Sequence, residues 1–214
     1  MSSPPSKNAA PLNPAAERHF WAGVEYSDRF FRGEAEVHRA LEKLALTLEA
    51  QQIAYAISGD LALNEFGYRH VTTEIELLLT SEGLARFKTT NLGRGYIEKF
   101  PGSRGVRDTE NGVDIDVILA GGFPGDGKPK PVAFPDPSLV AVKGAKVALL
   151  PLPKLVELKL ASGMTAPHRL KDLADVQELI RVAALPESFA DALDPYVREK
   201  FRELWRTVQG LPAE

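Results

Sequence analysis

Two short segments of this chain put acids where a strand is expected to be apolar. Thr73-Glu74-Ile75-Glu76-Leu77-Leu78-Leu79 and Val113-Asp114-Ile115-Asp116-Val117-Ile118-Leu119 both alternate acid with aliphatic and then run into continuous aliphatic residues. A period of two marks a strand whose two faces differ. Glu74 and Glu76 then share a face, about 7 Å apart at ~3.3 Å rise per residue, and so do Asp114 and Asp116. A one-sided sheet with a wet face explains either strand alone. If the strands are neighbours, three or four carboxylates converge, and such a cluster repels itself unless a cation is present. Hard divalent ions favour an all-oxygen environment of this kind.

Helices are expected around these strands. Val37, Ala40, Leu41, Leu44 and Leu48 recur at spacings of three and four, which predicts a helix from about Glu34 to Gln51. Ile53 to Ile57 reads as a buried strand ended by the turn Ser58-Gly59-Asp60, followed by a short helix over Leu61 to Phe66. Thr72 to Leu79 is the next strand, and Thr80-Ser81 can cap a helix over Glu82 to Thr89. Strands follow at Tyr96–Phe100 and Val113–Leu119. Nine of the 17 positions from 121 to 137 are Gly or Pro, so that stretch is expected to be a surface loop or lid rather than a folded element. A hairpin is expected over Leu139–Val142 and Lys146–Leu150. The last third reads as helices over 153–163, 171–184 and 194–209, the last capped by Asp194-Pro195. The fold class is therefore α/β (α+β), a mixed sheet flanked by helices. The expected organisation is a Pro-rich disordered tail over residues 1–17, an α/β core over 18–150 and a helical C-terminal section over 151–214.

Composition removes several chemistries. The chain has no cysteine, which excludes thiolate zinc sites, disulfides and cysteine nucleophiles. Its net charge of −3 argues against bulk-charge coating of nucleic acid. No apolar run is long enough for a membrane helix and the N-terminus lacks a signal-peptide core, so a cytoplasmic protein with no membrane partner is expected. His19, His38, His70 and His168 are too scattered for a metal-ligand pattern. His38 is expected at the surface of its helix, and His168 beside Arg169 and Lys171 could face an anionic ligand.

The run Ala56-Ile57-Ser58-Gly59-Asp60-Leu61-Ala62-Leu63-Asn64-Glu65-Phe66-Gly67-Tyr68, followed by Thr72-Thr73-Glu74-Ile75-Glu76-Leu77-Leu78, resembles the nucleotidyltransferase superfamily, nearest to its bacterial AbiEii and MenT-like branch. Leu150-Pro151-Leu152-Pro153-Lys154-Leu155, Glu157-Leu158-Lys159-Leu160-Ala161-Ser162-Gly163 and Arg169-Leu170-Lys171-Asp172-Leu173-Ala174-Asp175-Val176 are similar to its later motifs, in the same order. The resemblance spans roughly residues 35 to 182 and implies a nucleotidyltransferase-like core.

It also implies roles. Ser58, Gly59 and Asp60 would form the turn that approaches nucleotide phosphates. Glu74, Glu76 and Asp116, or Asp114 in its place, would hold Mg²⁺ or Mn²⁺, with one carboxylate helping to deprotonate the acceptor. Lys159 would contact phosphate, and Lys171 similarly, with Asp172 and Asp175 fixing Lys171. The reaction implied is transfer of a nucleotide from a nucleoside triphosphate to an acceptor, whether RNA, protein or small molecule, with toxin–antitoxin systems as the family association. Four positions depart from the family pattern: Asp60 where a second small residue is usual, His70 where an arginine is usual, and Glu74 and Glu76 in place of two aspartates. These departures imply the alternative, a scaffold that has lost catalysis and binds a ligand or a protein partner.

Overall fold

The computed structural model describes residues 14–210. Residues 1–13 of the expected tail lie outside the described residues, whereas 14–17 belong to a helix, α1 (Pro14–Phe31), in a stretch where the sequence suggests no element. The next helix, α2 (Glu36–Ala50), buries the predicted stripe of Val37, Ala40, Leu44 and Leu48. His38 on this helix is half-buried rather than superficial, its ring 4.8 Å from that of Phe30.

The described strands form one seven-stranded mixed sheet. In chain order they are β1 (Ala56–Ser58), β2 (Glu74–Leu79), β3 (Tyr96–Glu98), β4 (Val106–Asp108), β5 (Val113–Leu119), β6 (Val142–Lys143) and β7 (Ala148–Leu149). Their spatial order is β3-β4-β5-β2-β1-β7-β6. The two acid-bearing strands are neighbours, β2 and β5 running parallel with Glu74 opposite Asp114 and Glu76 opposite Asp116. Parallel partners in register point to the same side, so all four carboxylates belong to one face. Ile75, Leu77 and Ile115 face the other way and are buried, as a core face requires.

Helix α3 (Gly59–Glu65) follows β1 directly, and α4 (Ser81–Asn91) follows β2. Thr80 caps α4 as the sequence predicts, its side chain accepting a hydrogen bond from the Gly83 amide at 3.0 Å. A four-residue helix, α5 (Pro137–Val140), occupies part of the first arm of the expected hairpin, leaving β6 and β7 only two residues each. After β7 the described chain holds only helices and turns: α6 (Leu152–Thr165), α7 (Leu170–Val182) and α8 (Pro195–Gln209). Asp194 caps α8 through the Tyr196 amide at 2.9 Å. Helices α6 and α7 approach closely at Gly163, where a Cβ would lie 2.5 Å from Leu173 Cγ. Trp205 on α8 is anchored by a hydrogen bond from Nε1 to the Leu185 carbonyl at 2.9 Å. Among the described residues, no helix is long and apolar enough to cross a membrane.

Candidate functional site

Polar groups gather where β1 ends, on the acid face of the sheet and beneath α6. Ser58, Gly59, Glu76, Ile118, Lys159 and Asp172 line a small pocket of about 80 Å³, with Ser162 and Arg169 at its edge. Pro124, Gly125 and Phe134 of the Gly/Pro-rich loop also line it.

Gly59 has φ of +63°, a conformation that disfavours any side chain. A Cβ there would stand 2.5 Å from the Glu76 carboxyl carbon. The turn therefore needs glycine for two reasons, and its backbone lies directly against Glu76. The Glu76 side chain makes no hydrogen bond or ion pair with any described residue. Burial pushes its carboxyl above the usual range; Asp60 and Asp172 add to this, while Lys159 and Arg169 oppose it.

Lys159 projects from α6 toward this carboxyl but is held by α7. Its Nζ lies 2.7 Å from Asp175 and 3.3 Å from Asp172. Burial would lower the Lys159 ammonium, and the two aspartates with Glu76 outweigh it and raise it. Burial would likewise raise the Asp172 carboxyl, but Lys159, Ser162 and Arg169 together hold it below the usual range. Asp172 and Asp175 thus fix Lys159, whereas the resemblance implied that they would fix Lys171. Lys171 turns instead to the glycine turn. Its Nζ is 3.0 Å from Asp60, and His70 Nε2 is 3.1 Å from the same carboxylate. His168, exposed in the turn just before α7, has no described partner in this cluster.

The four strand carboxylates share a face but not a centre. Glu74 is exposed at the start of β2. Asp116 accepts from Lys99 Nζ at 2.8 Å; Asp114 accepts from Arg107 at 2.6 Å and lies 3.4 Å from Lys99. Burial would raise the Asp114 carboxyl, yet Arg107 and Lys99 prevail and lower it. The cation that the converging acids require is thus supplied by side chains. Among the described residues, no group of three or more His, Asp or Glu is arranged to hold a metal ion. The expected ligand set of Glu74, Glu76, Asp114 and Asp116 does not fit a divalent ion in this arrangement, because only the Glu76 carboxyl faces the pocket without a partner.

Of the residues singled out in the sequence, Ser58, Gly59, Glu76, Lys159 and Asp172 line the pocket, while Asp175 pairs with Lys159 and Lys171 with Asp60 beside it. Sequence reasoning gave no role to Lys99, Arg107 or Arg169. Arg169 was within reach, three residues before Asp172 on a helix start, a spacing that pairs side chains. Lys99 carried no local signal, because its partner lies 17 residues away across two strand turns.

Glu76→Gln is expected to stabilise the protein at neutral pH. A carboxyl raised in the folded state favours folding below its unfolded value, near 4.5, and loses that contribution as pH rises through the folded value. The amide removes this loss, so the advantage of the variant should be absent at pH 4 and grow toward pH 8. A gain of about 1 kcal/mol would read as a Tm increase of about 2–4 °C for a chain of this length. A variant less stable than wild type at pH 8 would show that Lys159 needs the Glu76 charge.

No protein-family profile matches the chain, and no curated protein matches it. Among solved structures, JHP933 from Helicobacter pylori superposes with a TM-score of 0.42 at 13% identity, over 81% of this chain and 90% of its own. A second H. pylori structure, provisionally described as a nucleotidyltransferase, gives a TM-score of 0.42 at 13% identity, over 92% and 95%. Likeness this loose carries no argument about the chemistry of the present chain, which rests on its own residues.

Proposed function

We propose that this chain is a nucleotidyltransferase-type scaffold that acts as a binding or regulatory module and transfers no nucleotide. The observation that carries this reading is Asp60. At the turn where phosphates would have to approach, a carboxylate is held in place by Lys171 at 3.0 Å and His70 at 3.1 Å. A phosphate brought within ~4 Å of it would meet about 4 kcal/mol of repulsion at an effective dielectric of ~20. The cations that would attract a triphosphate are committed to internal acids, Lys159 to Asp175 and Asp172, Arg169 to Asp172. The pocket, at about 80 Å³, is also far below the ~300–1,000 Å³ usual for a small-molecule site.

A second reading keeps the activity: a metal-dependent nucleotidyltransferase that moves a nucleotide from a nucleoside triphosphate to an RNA, protein or small-molecule acceptor. The register favours it, since Glu76 and Asp116 lie side by side on adjacent strands next to Gly59. It requires the Gly/Pro-rich loop to open and the carboxylates to be released from Lys99.

The two readings separate in one experiment. Purified protein is melted with ATP, CTP, GTP or UTP, with and without Mg²⁺ or Mn²⁺, and α-labelled nucleotides are incubated with RNA and protein acceptors. The proposed reading expects no metal-dependent shift and no transferred label. A nucleotide that raises Tm only with metal, together with label on an acceptor that disappears in Glu76→Gln, would replace it with the second.

A further inference from the structure

The acid face of the sheet poses a charge problem that the chain solves in an unusual place. Glu76 and Asp116 are register partners, as are Glu74 and Asp114, so four carboxylates stand on two adjacent strands. Lys99, just beyond β3 at the far side of the sheet, reaches two strands inward to meet them. Its path is built into the backbone. The Lys99 amide donates to the Gly105 carbonyl, and its aliphatic stem lies over Gly105, where a Cβ would stand 2.9 Å from Lys99 Cδ and 3.2 Å from Asp116 Oδ1. Any side chain at 105 would block the crossing. The ammonium then sits 2.8 Å from Asp116 and 3.4 Å from Asp114, and Arg107 completes the neutralisation of Asp114 at 2.6 Å.

We infer that Lys99 is a built-in counter-cation: its ammonium occupies the place between Asp114 and Asp116 that a divalent cation would otherwise take, and so the acid face stands without metal. This rests on the reading of the chain as a non-transferring scaffold and supplies a physical reason for it. A point charge on a flexible stem neutralises two carboxylates without demanding octahedral geometry, which the longer Glu74 and Glu76 arms would disturb. Removing the charge while keeping the stem should leave Asp114 and Asp116 as a pair without their shared counter-charge, open to a cation.

The test compares wild type, Lys99→Met and Lys99→Arg by thermal melts and titration calorimetry with MnCl₂ and with MgCl₂. Circular dichroism checks that each variant is folded, and Lys99→Gln serves in place of Lys99→Met if the latter is not. Wild type and Lys99→Arg are expected to show no saturable response. The neutral variant is expected to gain one, with Tm rising by roughly 5–10 °C at ~100 times the dissociation constant, and to lose it again in Lys99→Met/Asp116→Asn. A folded neutral variant that ignores both metals would overturn the inference. Metal binding by wild type without nucleotide transfer would overturn the role of Lys99 alone. Transfer by wild type would overturn the functional reading on which it rests.

Discussion

A Lys159→Met variant is expected to unfold roughly 6–20 °C below wild type at neutral pH, taking about 3–5 kcal/mol for breaking a buried ion pair and 2–4 °C per kcal/mol. The lysine is 11% exposed, and its partners Asp172 and Asp175 are 6% and 2% exposed. Methionine fills nearly the same space, so the loss is one of charge rather than of packing. Arg169 still reaches Asp172 at 2.8 Å, but among the described residues no second cation pairs with Asp175. The pH dependence identifies the cause. In wild type the Asp172 carboxyl is held low, so its contribution is complete above its unfolded value, near 3.8, and is lost as pH falls through the lowered folded value. In the variant one of the groups that holds the Asp172 carboxyl low is gone, and that carboxyl takes up protons more readily. The deficit should therefore be largest near pH 8 and shrink toward pH 4 in a series of calorimetric melts. Asp175→Asn in the Lys159→Met background should recover part of it, since the double change removes the orphaned charge. A deficit independent of pH would show that Lys159 acts through its stem.

The contrast between Lys159 and Lys99 shows what the sequence could reveal. Asp172 and Asp175 lie three apart on one helix, so periodicity puts them on one face, but that Lys159 of the preceding helix meets them follows only from how the two helices pack. The acid strands were legible because a period of two survives in any sheet, and their pairing follows once they are neighbours. What the sequence left out is long-range or too short to show a period. Helix α1 was within reach of the sequence, since Phe20, Trp21 and Val24 recur at helical spacing, although in the structure these side chains are exposed rather than packed. Strand β4 has three residues, Val106-Arg107-Asp108, fewer than two periods of alternation. Its presence decides the charge balance of the site, since it brings Arg107 opposite Asp114 and sets Gly105 under Lys99. The Asp172 and Asp175 contacts went to Lys159 rather than Lys171 because Lys171 lies on their own helix and points back toward Asp60, whereas Lys159 comes from the helix packed against it.

Gly125→Ala should cost nearly as much, about 2–5 kcal/mol, from about 1–2 for a left-handed residue and 1–3 for overpacking. Gly125 has φ of +73°. A Cβ there would lie 2.3 Å from Thr165 Oγ1, 2.7 Å from the Ser162 carbonyl oxygen and 3.0 Å from Ser162 Cα. Two of these three atoms belong to the backbone of α6, so no rotamer change relieves the contact. The loop must lift, and lifting breaks the anchor at Lys130, whose side chain is 5% exposed. Its ammonium donates to Asp126 at 2.6 Å, the Pro124 carbonyl at 2.5 Å and Thr165 at 3.2 Å. Because only the Lys130–Thr165 bond among these ties the loop to α6, the strain should be released locally before the sheet melts. Hydrogen exchange is therefore expected to accelerate across 121–134 more than in β2 or β5. Pro124, Gly125 and Phe134 line the Glu76 pocket, so an open loop also lets water reach that carboxyl. Burial is what raises it, and hydration should bring it back toward its ordinary value and flatten the wild-type loss of stability as pH rises above about 4.5. Faster exchange with an unchanged pH profile would mean that α6, not the loop, keeps Glu76 dry.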